Sequence, residues 1–267
     1  MFTADDLTFV ICAFGKNIYI SDTIESLQAQ TEKAHIIIST STPSSYLDKI
    51  ASKYGIPLFI NTGEKGLAAD WNFGYSKVSS QLVTIAHQDD LYESDYAARI
   101  IQAVNDAEEP VIVFTDYYEL RNGKRVTTSR ILKIKRKMNS IFKNRFLRKK
   151  HFWKRLVLSI GNPICCPSVT YNKKLCGIEP FDTKYANSCD YKAYIKLIEV
   201  KGSFVYISKI LMGHRIYEES TTTKNISENI RQKEDIEIFE EFWPKSIAHL
   251  IYKVYSSSEK SNIIKKS

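Results

Sequence analysis

Long apolar runs, glycine, proline and paired cysteines are all scarce in this chain. No stretch approaches the ~18 consecutive apolar residues that a membrane-spanning helix needs. With 10 glycines and 7 prolines in 267 residues, of which 43% are apolar, the sequence is neither collagenous, low-complexity nor disordered, and it predicts a sizeable core. Its start, Met1-Phe2-Thr3-Ala4-Asp5-Asp6, lacks the basic-then-apolar order of a secretion signal, so the expected location is the cytoplasm. The five cysteines (12, 165, 166, 176 and 189) are odd in number and stand beside no histidine at zinc-site spacing, which predicts reduced thiols. Neither G-x-x-x-x-G-K-[ST] nor a G-x-G-x-x-G after the first strand occurs, so a bound nucleotide must be held through metal and loop contacts.

Acidic residues are missing from one region. Residues 120–178 hold 17 of the 38 Lys and Arg and none of the 30 Asp and Glu, so the net charge of +8 divides into a strip of +17 and a remainder of −9.

From residue 8 to residue 115 short apolar runs alternate with segments of helical period, which predicts an α/β fold: a mostly parallel sheet with helices on both faces. Strands are expected at 8–13, 35–39, 57–60, 81–86 and 111–115, with helices after Ile18, after Thr42-Pro43, at 67–78 and at 95–107. The second half reads as a hairpin around Asn122-Gly123, the basic insert, a strand-like stretch at 162–171, a helix at 191–200, a strand at 204–207 and the pair Ile210-Leu211. Two terminal helices follow, divided at Trp243-Pro244.

Open parallel sheets bind ligands at the carboxyl ends of their strands. There the sequence offers Phe14-Gly15, residues 39–43, residues 61–66, His87-Gln88-Asp89-Asp90 and Asp116. The fourth is the strongest, because an apolar strand running into adjacent carboxylates presents hard oxygen ligands suited to Mg²⁺ or Mn²⁺. Successive residues face opposite ways, so Asp89 and Asp90 need not both ligate, and Asp90 alone also suits a cap for the next helix.

Taken in order, Cys12-Ala13-Phe14, Ser41-Thr42-Pro43, Gly66 with Asp70-Trp71-Asn72-Phe73-Gly74, and Ile85-Ala86-His87-Gln88-Asp89-Asp90 resemble the nucleotide-sugar half of the family 2 glycosyltransferases. The resemblance covers about 220 residues: Cys189-Asp190 matches the family's catalytic-base motif, and His214-Arg215 a His-Arg after its last sheet strand. The tail (Asn229-Ile230-Arg231, Glu234-Asp235, Phe242-Trp243-Pro244-Lys245) is similar to a bacterial subgroup that builds surface polysaccharides. This resemblance implies a GT-A fold over residues 1–220, a C-terminal helical extension over 221–267, and inverting transfer from a UDP- or dTDP-sugar to a glycan or polyprenyl-diphosphate-linked acceptor.

The resemblance also implies the site. The donor falls to Ala13, Phe14, Ser39, Thr40, Ser41, Lys65, Asp70, Asn72, His87, Gln88 and Asp89, and a Mg²⁺ or Mn²⁺ ion to Asp89, Asp90 and His214. Inversion needs one carboxylate opposite the leaving group, a role assigned to Asp190, with Asp116 as the competing carboxylate. Asp190 also suits an N-cap for the helix that follows it. Two departures stand out: His87 occupies the first acidic position of the usual D-x-D-D, and the hydroxyls of residues 39–41 replace the acidic residue that often reads the base.

The insert (about 127–158) has twelve Lys or Arg between Arg130 and Arg155. Drawn as one helix, it gathers Ile131, Ile134, Met138, Ile141 and Phe142 opposite Lys133, Arg136, Lys137, Lys143 and Arg148. That pattern predicts an interfacial helix on the anionic inner face of the plasma membrane, or else a helix packing its apolar side on the sheet. Nucleic-acid binding is disfavoured by the lack of a recognisable module and the −9 elsewhere. A non-catalytic adaptor on the same fold is the alternative to an enzyme, and a nucleotidyltransferase is disfavoured for want of a glycine-rich activation loop.

Overall fold

The computed structural model describes residues 1–217 and 225–259. The first half alternates as the sequence predicts: strands Leu7–Ala13 (β1), His35–Thr40 (β2), Leu58–Ile60 (β3) and Leu82–His87 (β4) are separated by helices Ile20–Gln28 (α1), Ser45–Tyr54 (α2) and Leu67–Ser76 (α3). The second helix starts later than expected, because Ser44 caps it by accepting the Leu47 N–H at 3.3 Å. A two-residue strand, Leu91–Tyr92 (β5), precedes helix Tyr96–Asn105 (α4).

β1 to β4 are parallel, and together all the strands form one mixed sheet in the order β3-β2-β1-β4-β8-β6-β9-β5. Here β6 is Pro110–Arg121, β8 is Val169–Asn172 and β9 is Ser203–Ile216, while Lys124–Val126 (β7) pairs back on β6 through the expected turn. Asn122 and Gly123 both take positive φ (47° and 74°) in that turn, as a two-residue hairpin requires.

Two expectations are corrected here. The fifth strand is twelve residues long, and the separate 204–207 and 210–211 segments are one fourteen-residue strand that runs parallel to it. Their pairing is irregular around Thr115, Asp116 and Tyr117, and polar residues interrupt the apolar runs at that point, which is why the sequence suggests earlier stops. The 162–171 stretch has only its last residues in β8, because Pro163 and Pro167 cannot donate to a ladder.

Period-two alternation sends Phe9 and Ile11 to one side of the sheet, with α1, α2 and α4, and Val10 to the other, with α3 and the later helices. On that second side lie His151–Leu158 (α6), the short Lys173–Cys176 (α7), Cys189–Ile198 (α8), Asn225–Glu240 (α9) and Lys245–Glu259 (α10), while Arg130–Asn139 (α5) buries Leu132 with the first side and packs Met138 on the second. α3 sits so close to the sheet that a Cβ on Gly74 would lie 2.5 Å from Ser39 Oγ and 2.6 Å from Val10 Cγ1.

The basic insert is not one helix. α5 and α6 are separated by 3-10 turns, with Asn144 Oδ1 accepting the N–H groups of Phe146 and Leu147 at 2.9 and 3.1 Å. Leu132 and Phe142 are buried and Met138 and Ile141 pack on the core, whereas Ile134 of the expected apolar face is exposed, so only part of that face turns inward. The terminal helices divide at Pro244 as expected, whereas the expected boundary near residue 220 lies outside the described residues. All five cysteines are free, and no described helix is long and apolar enough to cross a membrane.

Candidate active site at the carboxyl end of the sheet

β4 ends on His87, and the tight turn after it brings His87, Asp89 and Asp90 together with ligand atoms within 4.8 Å of one another. Asp90 is completely buried. Its carboxylate accepts the Arg215 backbone N–H at 2.8 Å and faces His214 Nδ1 at 3.1 Å, while its carbonyl accepts the Thr23 hydroxyl of α1 at 2.8 Å. Asp89 Oδ2 accepts the Tyr217 hydroxyl at 2.7 Å, and that hydroxyl accepts from Asn17 Nδ2 at 2.9 Å. The end of β9 thus closes over the turn, with Arg215 Nε donating to the Asp89 carbonyl at 2.8 Å and its guanidinium stacked 3.9 Å over Tyr19.

Two adjacent carboxylates cannot ionise with equal ease. Burial and the neighbouring Asp90 charge push Asp89 above the usual range. Burial would raise Asp90 too, but His214, His87 and the Arg215 N–H outweigh it and hold that carboxyl low. His214 is raised in turn, because the pull of Asp90 exceeds the effect of its own burial.

A divalent cation fits this donor set. His87 turns Nδ1 toward Asp90 at 3.6 Å, the carboxylate of Asp89 completes the cluster, and among the described residues the buried His87 Nε2 has no hydrogen-bond partner. Trp71 stacks on the His87 ring at 5.4 Å and 27°, which fixes its orientation. His214, expected as a ligand, is not a member of the cluster and turns Nδ1 to Asp90 instead; His87, expected at the nucleotide, is its third member.

The loops after β1, β2 and β3 gather most of the remaining donor-site residues. Ser41 Oγ and Asn61 Nδ2 hold the two oxygens of Asp70 at 2.7 and 2.8 Å. Ser39 and Thr40 are buried at the end of β2, where Ser39 Oγ lies 3.6 Å from the Cys12 thiol, which burial pushes up to about 12. Gln88 accepts the Phe14 N–H at 3.1 Å and donates to the Phe14 carbonyl at 3.0 Å, tying the loop after Ala13 to the metal turn. Lys65 is exposed in the loop before α3. Asn72 is not brought to this pocket: its amide is occupied by the Phe181 backbone, donating at 2.7 Å and accepting at 3.1 Å.

The competing carboxylates differ in their partners. Asp190, in the first turn of α8, is half-buried and, among the described residues, accepts from the side chain of Asn162 through Nδ2 at 3.1 Å. Burial pushes its carboxyl up against the Tyr191 N–H and the charges of Arg231, His87 and Lys135. Asp116, at the irregularity of β6, is bound by Arg136 Nε at 2.6 Å; the same guanidinium grips the carbonyls of Thr127 (2.7 Å) and Tyr117 (3.2 Å). Sequence reasoning missed Tyr217 and Asn17, which carry no signal beyond being polar, and Trp71, which reads as ordinary core.

Residues 8–173 match the family described as glycosyl transferase family 2. No curated protein matches the chain in sequence. Among solved structures, the 1-349 portion of S. aureus TarS in complex with UDP-GlcNAc is similar with a TM-score of 0.63 at 13% identity, over 92% of this chain and 70% of that one. A mannosyltransferase, PcManGT from Pyrobaculum calidifontis in complex with GDP-Man and Mn2+, is similar with a TM-score of 0.60 at 13% identity, over 91% and 68%. Against a longer TarS chain the match spans 42% of its length. Both likenesses show the same α/β architecture, and the family match covers more than half of the sequence. The chain belongs to the family 2 glycosyltransferases, nucleotide-sugar-dependent enzymes of the GT-A fold.

Proposed function

We propose that the protein moves a sugar, with inversion, from a UDP- or dTDP-linked donor to a hydroxyl of a growing, lipid-linked surface glycan. The observation that carries this reading is the His87, Asp89 and Asp90 cluster with the orphaned His87 nitrogen, at the same end of the strands as the hydrogen-bonded Ser41 and Asp70. These residues would hold a divalent ion, which supplies charge neutralisation for the departing diphosphate. A mixed nitrogen and oxygen set favours Mn²⁺ over Mg²⁺. Asp190 takes the proton of the acceptor hydroxyl as its oxygen bonds to the anomeric carbon, and the bond from that carbon to the diphosphate breaks with its electron pair on the diphosphate. The kinship with TarS and PcManGT, whose structures contain UDP-GlcNAc and GDP-Man with Mn2+, supports a sugar-nucleotide donor.

We assign the acceptor side to a membrane surface. The insert's cations carry that reading, together with apolar side chains left exposed at Phe146 (78%), Phe152 (64%), Leu250 (63%) and Val254 (69%). Tyr255 of α10 lies against Gly161, just past the end of α6. The transferase unit is residues 1–220, with 221–267 as its helical extension.

A thermal-shift panel of UDP-N-acetylglucosamine, UDP-glucose, dTDP-glucose and GDP-mannose tests the donor, because a ligand bound only by the native state raises Tm. The expected result is stabilisation by a uridine or thymidine member that needs Mn²⁺ and is lost in Asp89→Asn. Stabilisation that survives chelation, or none from any member, would overturn the reading.

A further inference from the structure

α9 and the residue after it carry four carboxylates, at 234, 235, 237 and 241, that turn to α8 and the segment leading into it. Glu234 is buried, with Oε1 accepting the N–H of Ala186 at 2.7 Å and Oε2 accepting those of Asn187 and Ser188 at 3.0 and 2.8 Å. Asp235 accepts the Ser188 hydroxyl at 2.7 Å. Glu237 takes the Lys184 ammonium at 2.5 Å and the Tyr185 hydroxyl at 3.1 Å, and Glu241 pairs with Lys192. Ile238 and Phe239 anchor the helix in the core, with the Phe239 ring 6.1 Å from Tyr191.

The start of an α-helix leaves backbone N–H groups without partners, and the residue at the cap normally supplies one acceptor. Ser188 holds that position but makes no cap bond, since its hydroxyl is engaged by Asp235. What holds this end is a carboxylate from a helix 46 residues further on, a full negative charge that takes the N–H of the cap residue Ser188 and those of Asn187 and Ala186 just before it, beside the positive end of α8. Helix ends fray and shift by a residue or two. Here the turn that bears Asp190 is pinned.

We propose that Glu234 is a positioning residue for Asp190: by fixing three consecutive amides it sets where α8 begins, and so aims the Asp190 carboxylate at the cleft. This rests on the reading of Asp190 as the base. A base must stand within hydrogen-bond reach of the proton it removes, and a misplacement of about 1 Å costs ~10² in rate. The C-terminal helix thereby serves the catalytic apparatus through the segment that leads into α8.

The test compares Glu234→Gln, Asp190→Asn and the double variant in Mn²⁺-dependent hydrolysis of the sugar nucleotides named above, with hydrogen exchange read in parallel. Expected for Glu234→Gln are faster exchange at residues 186–190 with core amides unchanged, kcat down by about tenfold or more, and donor KM within twofold, a part of the ~10²–10⁴ that a general base supplies. Added to Asp190→Asn, it should change nothing further. Should Glu234→Gln fold poorly, Ser188→Ala removes only the Asp235 bond and is expected to lower kcat by about two- to fivefold with native Tm. Normal kcat in these folded variants, a proportional rise in donor KM, or effects that multiply in the double variant would sink the proposal. Normal turnover in Asp190→Asn alone would instead remove the base reading, leaving Glu234 nothing to aim.

Discussion

Asp190 and Asp116 are both carboxylates raised by burial, yet opposite consequences are expected of their amides. Among the described residues no cation stands in hydrogen-bond contact with Asp190, and burial outweighs the more distant charges of Arg231, His87 and Lys135, so at neutral pH its charge is held against the cost of burial. Its raised folded pKa means that its stabilising contribution is present at low pH and is lost as pH rises through that pKa. Asp190→Asn should therefore raise Tm at pH 7 while lowering turnover by ~10² or more. In the parent enzyme, kcat should fall on the acid side as Asp190 becomes protonated, at a pH above the usual aspartate range. Asp116→Asn should do the reverse, costing about 3 kcal/mol of stability by stranding Arg136, with activity per folded molecule kept within tenfold. Paired thermal melts and rate profiles check both, and a collapse of turnover confined to Asp116→Asn would exchange the two roles. The metal turn was legible in the sequence because two carboxylates end an apolar strand, and the departure at His87 was visible as well. That His87 joins Asp89 and Asp90 in a ligand cluster was not, since it depends on where Trp71 stacks. Tyr217 and Asn17 were illegible for the same reason: their contacts span 200 residues.

At the scale of elements, what could be read was what obeys a short period. β1 to β4 and their helices follow period two and period 3.6 and lie within a few residues of expectation. β6 and β9 run past their apolar stretches because they satisfy each other's backbone groups through Asp116, Glu119 and Arg121 on one side and His214 and Arg215 on the other. The insert misled for a different reason, since a helical wheel assumes continuity that Asn144 interrupts. Within it, Lys154 of α6 is nearly fully buried (1% exposed), donating to the carbonyls of Val200 at 2.9 Å and Gly202 at 3.3 Å over the Phe204 ring. Burial lowers its pKa to about 8 from 10.5. A lowered folded pKa makes the group's contribution rise with pH across that interval and fall away below it. Lys154→Met should thus lose ground relative to the parent between pH 8 and pH 10 in denaturant melts, and a constant difference would show that Lys154 does not titrate there.

The whole molecule separates its charge: +17 on residues 120–178 and −9 on the rest. Part of that positive charge is structural, since Arg136 is bound to Asp116 and Lys154 is buried. Of what remains exposed, Lys143, Arg145 and Lys150 flank the exposed Phe146 and Phe152 along the chain, and the membrane surface we assign is this patch, with Leu250 and Val254 of α10 as further exposed apolar side chains, rather than the α5 wheel that the sequence suggested. Apolar side chains entering the headgroup region and cations attracted to anionic lipid at about 1 kcal/mol each act together on such a patch. Vesicle flotation should show binding to membranes containing phosphatidylserine, weak binding to phosphatidylcholine alone, and release as salt shortens the Debye length below about 10 Å. Phe146→Ser with Phe152→Ser should weaken binding without changing donor-induced stabilisation, because neither ring lies among the donor-site residues. Leu250→Ser with Val254→Ser should add to that loss, since both are exposed apolar side chains able to enter the headgroup region. Unchanged flotation in the fourfold variant, or a preference for duplex DNA over anionic vesicles at the same salt, would show that the strip serves charge alone and not a bilayer.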